Sequence, residues 1–134
     1  MKSLRHIRKR LGRCYDLTFR AIQKEPAAEC FTLIHGFIDL DIMLIAHAWI
    51  ETGDGRVYDP NDDQYMRADE YAATMGAVAE RRYTRSEAID MMSREAHCGP
   101  WHCSRMGVVD PRLLADSIRK NGEVRRSSTE SGQF

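Results

Sequence analysis

Three side chains in the first half of the chain are of the types that together turn a thiol into a nucleophile: Cys14, His47 and Asp59. The stretch Ile45 to Pro60, IAHAWIETGDGRVYDP, reads as two short strands joined by a Thr-Gly-Asp-Gly turn, whose glycines supply the positive φ a tight hairpin needs. With the loop centred near Gly53, residue 47 falls opposite residues 59 to 61, so His47 and Asp59 come within side-chain reach across the ladder. A carboxylate that accepts from one imidazole nitrogen fixes the tautomer and leaves the other nitrogen to take a proton from a nucleophile.

Cys14 supplies the nucleophile if it heads a helix. Gly12 interrupts the chain just before it, and Cys14, Leu17, Thr18, Ala21 and Ile22 then fall at the spacing of one buried helical stripe, closed by Pro26. A cysteine in the first turn sits at the positive end of the helix macrodipole, which favours the thiolate. The alternative is a small apolar residue at the head of that stripe.

The strand that positions His47 needs a partner. Cys30 to Ile38 is predicted to be that strand, turning through Asp39-Leu40-Asp41 into Met43 to Glu51, and Arg56 to Asp59 completes an antiparallel sheet of three. Leu33, Ile34, Leu44 and Ile45 belong in or near the core. With the first turn centred between Leu40 and Asp41, Ile34 lies opposite His47, and His35 points to the other face as a hydrogen-bonded structural residue.

Downstream, a polar Asn61-Asp62-Asp63 turn leads past Tyr65 into a helix with Asp69 as N-cap, which includes Tyr71 and ends near Gly76. Val78 to Tyr83 is a further candidate strand. Thr84 and Glu87 form a capping box for a helix from Arg85 to about His97, with Ala88, Met91 and Met92 inward, stopped by Gly99-Pro100. Asp110-Pro111 opens a last short helix with Leu113, Leu114 and Ile118 on its apolar face, ending at Asn121-Gly122.

Length and charge bound the rest. At 134 residues and 43% hydrophobic, the chain suits a single domain over residues 1–122 with a flexible polar tail, 123–134. Basic and acidic residues balance at 20 each, so no general attraction to nucleic acid or to an anionic membrane is implied. The basic start, Lys2, Arg5, Arg8, Lys9, Arg10 and Arg13, with Leu4, Ile7 and Leu11 on the opposite face, is a solvated helix face or an arm for an acidic partner. Arg81, Arg82, Arg125 and Arg126 lack the interleaved aromatics of a nucleic-acid surface. No run is long and apolar enough for a signal peptide or a membrane span, so a cytoplasmic location is expected and Cys14, Cys30, Cys98 and Cys103 are read as thiols. His97, Cys98, His102 and Cys103 are close in sequence, but their spacing matches no common zinc pattern, so neither metal nor cofactor is expected.

GRC at Gly12 to Cys14, HAWIE at His47 to Glu51 and Asp-Pro at Asp59 and Pro60 occur in the order Cys, His, Asp, each on the expected element. Together they resemble the core of the transglutaminase-like branch of the papain-like cysteine protease superfamily. The resemblance implies an α+β papain-like fold, an N-terminal Cys helix packed on a small antiparallel sheet with additional C-terminal helices. It also implies a Cys-His-Asp triad of Cys14, His47 and Asp59 acting on a protein or peptide acyl substrate. Cys14 attacks the acyl carbon, His47 moves the proton and Asp59 orients His47, with the Cys14 backbone N–H as one oxyanion donor. Trp49 and Tyr15 border the acyl site. The electrophile is a peptide bond, a glutamine amide, an isopeptide or a thioester, released to water or to an amine. No glutamine precedes Cys14 as an oxyanion donor, so the second donor is unassigned, and calcium dependence does not carry over. A catalytically silent binding or regulatory module on the same fold is the alternative.

Overall fold

Two long strands, β1 (Thr32–Asp39) and β2 (Leu44–Glu51), pair antiparallel in unbroken register from Thr32↔Glu51 to Asp39↔Leu44. The computed structural model describes residues 10, 12–24, 28–102, 107–117 and 120. Both strands bury six consecutive positions, because both faces of the sheet are covered, and this is why neither alternates cleanly between apolar and polar. β2 continues into β3 (Arg56–Asp59), which pairs with β4 (Gln64–Arg67). β5 (Val78–Thr84) lies beside β1, giving the order β4-β3-β2-β1-β5, and the short β6 (Val108–Val109) runs parallel to the start of β2 at Leu44 and Ile45.

The antiparallel hairpins at the centre follow the sequence expectation, and the additions have local reasons. β4, in a stretch expected to be turn and helix entry, exists because it zips onto β3 from Arg56↔Arg67 to Asp59↔Gln64. The β1–β2 turn is centred one residue later than expected, so Ile34 faces Trp49 and Gly36 faces His47. A two-residue register shift keeps every side chain on its face, and His35 stays on the side opposite His47. In the next hairpin the pairs Ile50↔Tyr58 and Glu51↔Val57 centre the loop on Asp54 rather than Gly53, and Gly55 carries the positive φ of 86°.

Helices cover both faces. α1 (Cys14–Lys24) and α3 (Arg85–Glu95) pack on one, where Phe19, Ile22, Leu33, Ile50, Tyr83 and Ala88 form a core. α2 (Ala68–Met75) packs on the other, closing Tyr71 over Ile34, Trp49 and Val57. Each fully buried aliphatic side chain in these layers contributes about 1.5–3 kcal/mol. The buried stripe of α1 is Cys14, Tyr15, Thr18, Phe19 and Ile22, with the predicted Leu17 and Ala21 at its margins, because the aromatics at 15 and 19 fill more of the space under the helix. Arg67, not Asp69, is the N-cap of α2, and it makes no side-chain cap, since β4 delivers the chain directly into the helix. α3 has the expected capping box of Thr84 and Glu87 but ends at Glu95, where Ala96 takes the left-handed conformation two residues before Cys98. A last helix, α4, covers residues 111–117. It buries Ala115 while Leu113 is exposed, against expectation. Ile118, Cys103, the start of the basic arm and the predicted tail lie outside the described residues.

Candidate active site

Cys14 opens α1, and its position is set by the turn before it. Gly12 adopts φ of 78° and sits so tightly under α4 that a Cβ there would stand 2.8 Å from the Ala115 Cβ. The Leu17 N–H donates to the Arg13 carbonyl at 2.8 Å, starting the helix, and the Thr18 hydroxyl donates to the Cys14 carbonyl at 2.6 Å. As a first-turn amide, the Cys14 N–H has no acceptor within α1 itself.

His47 lies on β2 between the stretch paired with β6 and the stretch paired with β3. Its Nε2 faces both carboxylate oxygens of Asp59, at 3.2 and 3.3 Å. The Cys14 side chain also acts on the ring, favouring its protonated form. Asp59 is itself held from two more sides: the Tyr71 hydroxyl donates to Oδ2 at 2.7 Å and the Asn61 N–H to Oδ1 at 2.8 Å. Arg10 braces the turn that follows, donating to Tyr58 Oη at 2.9 Å and to the Pro60 carbonyl. The structure thus places a buried helix-borne cysteine near a buried pair of a strand histidine and a strand-end aspartate, with Cys14 and His47 each 1% exposed.

Burial alone would push the His47 imidazole toward neutrality, but hydrogen bonds with Asp59 and Cys14, reinforced by their charge, outweigh it and raise its pKa to about 10. Burial likewise opposes charge on Asp59, yet His47, Tyr71 and the Asn61 N–H together hold its carboxyl below the usual range. The signs give a stability prediction. Protonated His47 contributes stability that is complete below its ordinary pKa of 6.5 and is lost as pH climbs toward about 10. Ionised Asp59 contributes stability present above its ordinary 3.8 and lost as pH falls through its lower folded value. The Cys98 thiol, raised from 9.0, and the buried tyrosines, raised from 10.0, add their own losses only at higher pH. Urea midpoints are therefore expected to fall steadily between pH 6.5 and 9 in the wild type and to stay flat over that range in His47→Gln. A wild-type midpoint independent of pH there would contradict the pairing.

Comparison with family models, with curated proteins and with solved structures finds no match. The site is therefore read from its own geometry.

Trp49 is buried, its ring stacked 6.0 Å from that of His47 and tilted 5.7 Å from that of Tyr71, so it packs the site from behind. Tyr15 is also buried and touches Ala48 together with Cys14. Glu51 of the HAWIE stretch pairs with Arg82 at 2.7 Å across the sheet. His35 is not the hydrogen-bonded residue expected: both its ring nitrogens are buried without a partner. Two residues went unnoticed as parts of the site. Tyr71 was placed only as a helix residue, yet its hydroxyl makes the shortest contact to Asp59; the available signal was a lone large polar aromatic on a short helix directly after the acid-bearing strand. Gly36, opposite His47, is a glycine amid buried strand positions, a sequence signal for a close backbone approach.

Among the described residues, no group of three or more His, Cys, Asp or Glu side chains is placed to hold a metal ion. His97 accepts from the Gly99 N–H at 3.0 Å and His102 Nδ1 pairs with the Tyr83 hydroxyl at 2.7 Å, while Cys103 lies outside the described residues. No helix among those residues is long and apolar enough to cross a membrane.

Proposed function

We propose that the protein is a cysteine-dependent acyl-bond enzyme of transglutaminase-like type, using Cys14, His47 and Asp59. The observation that supports this reading is the buried pair of His47 Nε2 and Asp59 at 3.2 Å, close to the buried cysteine that heads α1. In the resting site His47 carries its proton, its pKa being raised to about 10. The sulfur attacks the acyl carbon, the carbonyl oxygen is met by the Cys14 N–H, and His47 gives its proton to the leaving amine or thiol as the bond to carbon breaks. Water or an amine then attacks the thioester, losing its proton to His47, and the thiolate is released. Asp59 keeps the imidazole in one orientation throughout, and Tyr71 keeps Asp59 in place.

The burial of Cys14 and His47 favours a second reading, in which the same arrangement stabilises a catalytically silent binding module. α4 packs against the turn that leads into the cysteine, where a Cβ on Gly12 would meet Ala115, Arg112 and Pro111. Incubation with 4-nitrophenyl acetate separates the readings. In the enzyme, mass spectrometry of tryptic peptides finds a stoichiometric acetyl group on Cys14 within the time that the exposed Cys30 acquires little, and His47→Ala abolishes that preference. Acetylation of Cys14 no faster than Cys30 would leave only the binding module.

A further inference from the structure

α1 and the pair of His47 and Asp59 belong to opposite faces of the sheet. α1 packs Phe19 and Ile22 against Leu33, Ile50 and Tyr83. His47 lies two residues before Trp49, so it shares the other face, where α2 closes Tyr71 over Ile34, Trp49 and Val57 and reaches Asp59. Cys14 packs with Ala48, which follows His47 on β2 and points the opposite way. Bringing the thiol to the imidazole therefore depends on how the segment before α1 is held against the end of β3.

One residue does that holding. The Arg10 carbonyl accepts from the Arg13 N–H at 3.2 Å, closing the turn through Gly12 that leads into Cys14. The Arg10 guanidinium, only 18% exposed, crosses to the strand end. Its Nε donates to the Pro60 carbonyl, and its Nη2 donates to Tyr58 Oη at 2.9 Å and stands 3.6 Å from the Asp63 carboxylate, to which the Tyr58 hydroxyl donates in turn. Tyr58 and Pro60 flank Asp59 in the chain, so Arg10 grips it from both sides while the carboxylate itself is taken by His47, Tyr71 and the Asn61 N–H. A guanidinium holds separate acceptors at a set spacing through donors in one rigid plane, whereas an ammonium is a single point on a flexible stem. The protonation of His47 and Asp59 is set chiefly by each other and by burial, Cys14, Tyr71 and Asn61, so what Arg10 adds is position. A misplacement of about 1 Å between reacting groups costs on the order of 10²-fold in rate.

We propose that Arg10 is a positioning residue for acyl transfer, tying the turn that enters Cys14 to the strand end that carries Asp59 so that thiol and imidazole meet at the margin of the sheet. Its part in the reaction rests on the acyl-enzyme reading; the tie itself does not. The test uses the full chain labelled with ¹³C-histidine, whose imidazole Cε1–H signal reports the titration of His47, alongside single-turnover acetylation of Cys14 by 4-nitrophenyl acetate. Arg10→Met is expected to slow acetylation by on the order of 10²-fold. It is also expected to lower the His47 titration midpoint by about one pH unit, because the sulfur that favours the protonated ring has moved away. In a Cys14→Ser background there is no sulfur to displace, and Arg10→Met leaves the midpoint where it was; a residue that only stabilised the fold would not produce that difference. Arg10→Lys, which keeps the charge and loses the fork, behaves as Arg10→Met. Tyr58→Phe removes one gripped acceptor, shifts both readouts the same way by less, and replaces Arg10→Met if that variant does not fold. Wild-type acetylation in Arg10→Lys, or a midpoint that responds equally with and without the sulfur, would overturn the proposal. Absence of acetylation in the wild type overturns the acyl-enzyme reading and leaves the sulfur-dependent midpoint to judge the tie. Acetylation in the wild type beside an unmoved midpoint in Arg10→Met overturns the positioning role alone.

Discussion

Replacing Asp59 with asparagine is expected to slow acyl transfer from Cys14 by on the order of 10³–10⁴-fold, the loss seen when a triad carboxylate is made neutral. Three donors converge on this carboxylate: His47 Nε2, the Tyr71 hydroxyl and the Asn61 N–H. An asparagine side chain offers one acceptor oxygen and sets an N–H against a donor that the carboxylate had accepted from. The imidazole then reverses its tautomer to accept that N–H, so its neutral form carries its proton on Nδ1, and the carboxylate that favours the protonated ring is lost. Leaving buried donors unsatisfied costs a further ~1–3 kcal/mol of stability. Tyr71→Phe, which removes one donor and leaves the carboxylate, is expected to cost about tenfold in rate and about 1 kcal/mol. Single-turnover acylation of each purified variant, with urea unfolding alongside, measures both effects. An Asp59→Asn protein that acylates within tenfold of the wild type would remove Asp59 from the site.

Gly36→Ala is expected to lower stability by about 3–5 kcal/mol, enough to lower Tm by ~10–20 °C. A Cβ on Gly36 would lie 2.0 Å from the Val78 carbonyl oxygen and 3.0 Å from the Trp49 ring. The first of these is backbone, so no rotamer change relieves it. Gly36 pairs with His47 on one side and Ala79 on the other, so β1 cannot shift without breaking two ladders in a buried sheet. Gly55→Ala is the control: its φ of 86° strains an alanine, but nothing lies within 4 Å of the added carbon, and about 1 kcal/mol is expected. Equal effects of the two substitutions on the thermal midpoint would mean that β5 does not approach β1 at Gly36.

The hairpin carrying His47 and Asp59 was legible because it is local. Two apolar runs, a turn with glycine at a position of positive φ and a period of two determine which residues share a face, and a two-residue error in register leaves that answer unchanged. The capping box at Thr84 and Glu87 was legible for the same reason: both halves of the interaction lie within one turn of chain. β4 was not legible, since its four residues are mostly exposed and owe their conformation to pairing with β3. The N-cap of α2 and the buried face of α1 failed similarly, displaced by the strand before one and by the aromatic packing beneath the other.

By itself, the sequence determined the order of Cys14, His47 and Asp59, the helix and hairpin that carry them, and which face of the hairpin bears the imidazole. Each follows from backbone preference and periodicity within a few residues. Only the tertiary structure decided that Tyr71 clasps Asp59, that α4 packs against Gly12, and that His35 stands unpartnered where the β1–β5 register shifts. Those features arise where segments far apart in sequence meet, and no local propensity encodes the distance between them.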